Sequence, residues 1–236
     1  METTEHGWRI IDGDAGILSY EYHFDKEGTA NTFAARMADG RMLVISPASR
    51  MPAGAFGDLE RFGEVGAVLA SNGWHYLGIK EWKDRYPKAR FFADPLAQAR
   101  IAKKSPDSLP LENPDDLATM TGPNIKVTNA PATKCGETWA WAKGTRGYVW
   151  FTGDILANFP SLPGNFFVRS FFRLTGTKEG YGIFHTAMKF IVDDKDRVLR
   201  ELRQDMKEHP PSVVVPGHGP LLDDADLPAR SDALFA

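Results

Sequence analysis

Three positions in this 236-residue chain set a side chain capable of metal or acid–base chemistry just after an apolar run suited to a buried strand. His218 follows "SVVVPG", Asp154 follows "YVWFTG", and His75 follows "VGAVLASNGW". Two imidazoles and a carboxylate can hold a cation or exchange protons near neutral pH. Strands running the same way deliver their following loops to one sheet edge, where α/β proteins collect their sites. Glycines beside Asp154 and His218 let the backbone turn sharply or come close to a ligand. Each residue also has a plainer reading. His218 could be a turn histidine bonded to backbone, Asp154 could cap a helix formed by "ILANF", and His75 could be a packed histidine between Trp74 and Tyr76.

The elements that must position these residues follow from pattern. "GILSYEYHF", "NTFAARMA" and "RMLVIS", with Asp39-Gly40 between the last two, predict an antiparallel opening with a hairpin. "AFGDLERFGE" predicts a short helix and "VGAVLA" a buried strand; a helix over 77–85 and a strand over 90–93 then complete a βαβ unit. The four prolines of 105–123 predict a polar link between two halves, 1–104 and 124–236, of a single domain. "NIKVTNA", "ETWAWAK" and "GYVWFTGD" predict strands with a turn at 144–147. In "DDKDRVLRELRQDMKEH", Val198, Leu199, Leu202 and Met206 share one helix face, Asp193 or Asp194 can cap the start, and Pro210 ends it before the strand "SVVVP". Two β-then-α halves predict the α/β class in a layered sandwich.

In their order and separation, "NTFAARMADGRMLVIS", "GYVWFTGDIL" and "VVVPGHGP" resemble the metallo-β-lactamase-fold hydrolase superfamily, over residues 17–222. The resemblance implies a four-layer αβ/βα sandwich. In it a bridging Asp and several His hold one or two metals, usually zinc, that activate water against an ester, amide, thioester or phosphoester. It puts Asp154 at the bridging carboxylate and His218 at the last imidazole ligand. The family's His-x-His-x-Asp-His is not kept. With "WHYLG" set on Asp-His-x-Gly-Gly, His75 takes the final His, and Ala70, Asn72 and Trp74 replace the other ligands. With Asn72 set on the first His, His75 falls at a non-ligand position. Thr133 stands where a further ligand His is expected, and Ser46 where an Asp commonly follows the early strand.

The implied centre is therefore degenerate, similar to a branch of the superfamily known only as a domain of unknown function. At most three ligands, His75, Asp154 and His218, remain for one zinc or iron ion. Two functions follow as expectations. One is a mononuclear metal-dependent hydrolase of a small ester-like substrate, with Asp154 and His218 as its catalytic residues. The other is a metal-free binding or structural protein on the same scaffold.

Composition narrows the field further. Hydrophobic content of 42% and charged content of 25% are those of a folded globular chain. A net charge of -3 with no long basic run argues against nucleic acid as a partner. The lone Cys135 excludes an internal disulfide and a multi-thiolate metal site. The opening "METTEHGWRI" is polar and acidic, and no apolar run approaches a membrane span, so the expectation is a cytoplasmic protein without a membrane partner. No Gly-x-Ser-x-Gly elbow, Cys-x-x-Cys, phosphate loop or dinucleotide fingerprint occurs. The Phe- and Arg-rich segment 159–190 could form a lid, a homodimer surface or an extra core layer, and His185 within it reads as structural.

Overall fold

The computed structural model describes residues 1–25 and 28–235. The chain opens with β1 (Glu2–Thr3), β2 (Arg9–Asp12), β3 (Ile17–His23), β4 (Thr29–Arg36) and β5 (Met42–Ile45), each antiparallel to the last. Helix α1 (Ala53–Glu60) then leads to β6 (Val65–Ala70), and α2 (Ile79–Arg85) to β7 (Arg90–Ala93). Both strands pair parallel, completing a seven-stranded sheet in sequence order. β6 is buried along its whole length, which is why "VGAVLA" has no polar alternation. The short strands β1 and β2 were not expected from their polar sequence.

Helix α3 (Pro95–Lys104) was also not expected, although its start carries two local signals. The Asp94 carboxylate accepts from the Leu96 amide at 2.8 Å, and Pro95 opens the first turn. The predicted polar link is a packed crossing. It makes two short 3-10 turns (Pro106–Ser108 and Pro114–Leu117) and α4 (Ala118–Thr121), and it buries Ser108, Leu111 and Leu117.

The second half adds β8 (Ile125–Asn129), β9 (Thr138–Gly144), β10 (Gly147–Phe151), β11 (Leu156–Phe159), α5 (Phe166–Leu174), β12 (Gly180–Ile183), α6 (His185–Ile191), α7 (Lys195–Glu208), β13 (Pro211–Val215) and α8 (Leu227–Ala233). β13, β10, β9 and β8 form a second sheet in that order, with β13 parallel to β10; β11 and β12 pair separately. "ILANF" is therefore strand, not a helix capped by Asp154. The physical reason is tertiary pairing: the Asn158 amide donates to the His218 carbonyl at 3.0 Å, holding this segment extended against the "PGHGP" turn. Helix α7 begins as predicted, its Asp194 side chain accepting from the Arg197 amide at 3.0 Å.

Side-chain alternation builds three apolar layers. Leu43 and Ile45 face inward with Phe33, Leu69 and Phe92 against Ala140, Val149, Phe151 and Val213 of the second sheet. Val44 and Val68 face outward onto Phe56, Trp82 and Ile101 of the first helical layer. In "TWAWAK" the alanines face the other sheet, while Trp139 and Trp141 face out toward Met188, Val198, Leu202 and Met206. The order is helix, sheet, sheet, helix, as predicted. Among the described residues no helix is long and apolar enough to cross a membrane.

Candidate metal centre

β5 and β6 run parallel in one sheet, and β10 and β13 in the other, so the chain leaves all four at one edge of the sandwich. The exits carry Ser46, His75, Asp154 and His218. After β6, the Asn72 side chain folds the loop on itself: its Oδ1 accepts from the amides of Trp74 at 2.7 Å and His75 at 3.3 Å. After β10, Gly153 has φ +52, and a Cβ there would lie 2.0 Å from Glu137 Oε1, so only glycine lets the chain pass Glu137 and present Asp154. After β13, Asn31 clamps the turn, donating to the carbonyls of Pro216 at 2.8 Å and Gly219 at 2.7 Å. Gly219, at φ +86, leaves no room for a Cβ beside the Asn158 carbonyl.

These loops bring all three sequence-predicted residues together. His75 Nε2 and His218 Nε2 each lie 3.1 Å from the same Asp154 Oδ1. The donor atoms are all within 4.8 Å of one another. The remaining atoms of the trio are already held. His218 Nδ1 donates to the Thr29 carbonyl at 2.6 Å, Ser46 Oγ lies 2.6 Å from His75 Nδ1, and Asp154 Oδ2 accepts from the Asn72 amide at 2.9 Å. The other hydrogen of that amide goes to Glu137 Oε2 at 2.7 Å.

The electrostatics follow from this packing. Burial opposes ionisation of Asp154, but the two imidazoles outweigh it and hold the carboxyl well below the usual range. For His218 burial works against the charged form, and the Asp154 carboxylate with the Thr29 carbonyl reverses it, raising its pKa. Burial, then Asp154, push Glu137 well above an ordinary carboxyl.

The donor chemistry fits one ion. Two imidazole nitrogens and a carboxylate oxygen suit zinc or iron. Bonds of 2.0–2.1 Å at tetrahedral angles set neighbouring donors about 3.3 Å apart, a few tenths of an ångström beyond the 3.1 Å that separates each histidine nitrogen from Asp154 Oδ1. Each ring's second nitrogen is fixed by an oxygen, the arrangement that orients ligating histidines. Among the described residues no further His, Cys, Asp or Glu joins this trio at ligand spacing. Ala70 carries no donor, and the Asn72 amide is consumed between two carboxyls.

A second group, Asp205, Glu208 and His209, also has ligand spacing. There the buried Asp205 accepts from Trp139 Nε1 at 2.9 Å and Lys126 Nζ at 3.1 Å, which ties α7 to the second sheet. His185 stands at the start of α6, outside both groups.

A cavity of about 470 Å³ opens beside the first cluster, its walls including Tyr22, Phe24, Tyr76 and Phe190. Glu137 and Asn31 went unrecognised in the sequence. Glu137 precedes a strand in "CGETWA" like any turn acid, and only its distant partners reveal that it is fully buried.

No family model matches the chain, and no curated protein matches it. Solved structures do match in fold. DIM-1 metallo-β-lactamase exposed to ceftazidime aligns with TM-score 0.60 at 15% identity, covering 100% of this chain and 98% of that one. A metallo-β-lactamase from Pontibacter korlensis aligns with TM-score 0.56 at 14% identity over 93% of each chain. The metal-soaked Flv1 flavodiiron core from Synechocystis sp. PCC6803 gives 0.61 at 12% identity, covering 99% of this chain and 62% of that one. The four layers are those of the metallo-β-lactamase fold, with a ligand cluster that departs from the superfamily's pattern.

Proposed function

We propose that this metallo-β-lactamase-fold chain is a mononuclear metal-dependent hydrolase of a small ester-like substrate, its zinc or iron held by His75, Asp154 and His218. One observation carries the reading: three donor atoms meet at one point beside a cavity, while every other polar atom of the trio is tied to the scaffold. When bound, the ion supplies Lewis acidity and makes a nucleophile of water at neutral pH. The chain does the rest. Thr29 and Ser46 orient the rings, Asn72 fixes the carboxylate, and the aromatic walls give the cavity an apolar lining.

The test is elemental analysis of protein purified without added metal and of protein then supplied with zinc, beside Asp154→Ala and His218→Ala. The expected result is one ion per chain, lost in both variants. A wild type that stays empty with zinc supplied removes the reading. It would leave the second one, a metal-free binding or structural protein, which a specific observation favours: His75 and His218 already pair with Asp154 Oδ1 at 3.1 Å, an arrangement complete without an ion.

The same proposal extends to assembly and compartment. Segment 159–190 divides in two. Phe159, Leu162 and Phe184 are buried together, whereas α5 buries none of its residues and leaves Phe166, Phe167 and Leu174 at 73%, 79% and 85% exposure. Such a face suits a homodimer contact. Sedimentation velocity should then give a dimer that Phe167→Asp with Leu174→Asp converts to monomer; a monomeric wild type refutes it. A single buried thiol accords with a reducing cytoplasmic compartment.

A further inference from the structure

We propose that Arg100 and Lys104 form an anion-binding end of the same cavity, so that the substrate class is an ester-like compound whose apolar body carries a carboxylate or a phosphate. Its substrate assignment rests on the hydrolase reading above; the anion subsite itself does not. Both residues lie on α3, one helical turn apart on a shared face, and both line the cavity that His75, Asp154 and His218 border. The only acidic residue among those lining it is Asp154, whose carboxylate is engaged by the two imidazoles. Among the described residues neither cation has an ion-pair partner, and the buried Arg100 Nε has no hydrogen-bond acceptor at all.

The arginine is also pre-positioned. Its guanidinium carbon lies 3.4 Å from the centroid of the Trp74 ring. Stacking of this kind holds the planar group by its face and leaves the N–H groups in its plane free. Gly73 makes the approach possible: a Cβ there would lie 3.1 Å from Arg100 Cδ and 3.3 Å from the Ala97 Cα. The Gly73 amide is anchored to the Cys135 carbonyl at 2.9 Å, so the loop that delivers His75 also carries the platform for Arg100. A stacked guanidinium fork without an ion-pair partner, with Lys104 one turn further along α3, matches the two or more oxygens of a carboxylate or phosphate. The apolar walls between α3 and the histidines, among them Tyr22, Phe24 and Tyr76, take the body of the ligand.

Ligand-observed NMR titration with benzoate, phenyl phosphate and the neutral benzamide tests this, on metal-stripped protein and again with zinc supplied. In the metal-stripped wild type at least one anion should bind about tenfold more tightly than benzamide, as charge-assisted hydrogen bonds require, and whichever binds better identifies the group. Arg100→Gln with Lys104→Gln should erase that preference, while Arg100→Lys keeps part of it and circular dichroism stays native in both. Anion preference in protein that takes up no zinc supports the subsite while the metal reading fails. Anion binding that needs zinc and ignores the double variant overturns the subsite and leaves the metal reading standing. Equal binding of benzoate, phenyl phosphate and benzamide, or no binding of either anion, also overturns it.

Discussion

Asn72→Ala should destabilise the protein by about 3–4 kcal/mol. The side chain is fully buried, and its amide spans Glu137 Oε2 at 2.7 Å and Asp154 Oδ2 at 2.9 Å. A hydrogen bond to a charged acceptor contributes about 1.5–3 kcal/mol and one to a neutral partner about 1, and both carboxyls are buried. In a chain of this size that loss corresponds to a fall in Tm of about 6–16 °C. Urea unfolding followed by circular dichroism gives the midpoint and slope directly. Asn72→Asp is the sharper companion. It keeps the volume and the acceptor, but it removes both donors and adds a third carboxyl to the buried group. The folded protein would raise the pKa of that new carboxyl, so the damage should be greatest at neutral pH and shrink as pH falls toward about 4. Stability within about 1 kcal/mol of wild type in both variants would refute Asn72 as the bracket between the two acids.

Other consequences can be checked separately. Gly219→Ala should lose more than about 2 kcal/mol, because the residue needs a left-handed φ and its Cβ would collide with the Asn158 carbonyl; a native-like urea midpoint would contradict this. Cys135 should resist Ellman's reagent at mildly alkaline pH until the protein is unfolded, because burial, with Glu137 and Asp154 nearby, pushes its thiol far up; rapid native labelling would contradict this. For Asp58, burial favours the neutral acid, but hydrogen bonds from Thr4 and His6 outweigh it and lower the pKa. Its stabilisation is therefore full above the ordinary carboxylate range and disappears as pH falls through the lowered folded value. Urea midpoints followed by circular dichroism should fall in acid, with a weaker pH dependence in Asp58→Asn; identical pH profiles would contradict this.

The sheets and the cluster were legible for the same reason. His75, Asp154 and His218 each follow an apolar run, and parallel strands must discharge at one edge, so local pattern carried non-local information. Where a conformation depends on distant partners, the pattern failed. "ILANF" offers a helix start after an aspartate, yet the "PGHGP" turn, some 60 residues on, draws it into a strand. Glu137 looks like a turn acid until Asn72 and the Asp154 amide are seen to surround it. Helix α3 is different, since Asp94-Pro95 is a helix start that local reading can find, and with it the cations Arg100 and Lys104. The rings of α5 were visible as composition, but their exposure depends on which face the rest of the fold covers.

Anomalous diffraction at the zinc edge, from crystals grown with zinc, tests the metal centre most directly. One peak should lie about 2.0–2.2 Å from His75 Nε2, Asp154 Oδ1 and His218 Nε2 together. No density there, with both histidines still 3.1 Å from the Asp154 oxygen, or a peak at Asp205 and His209 instead, would contradict it.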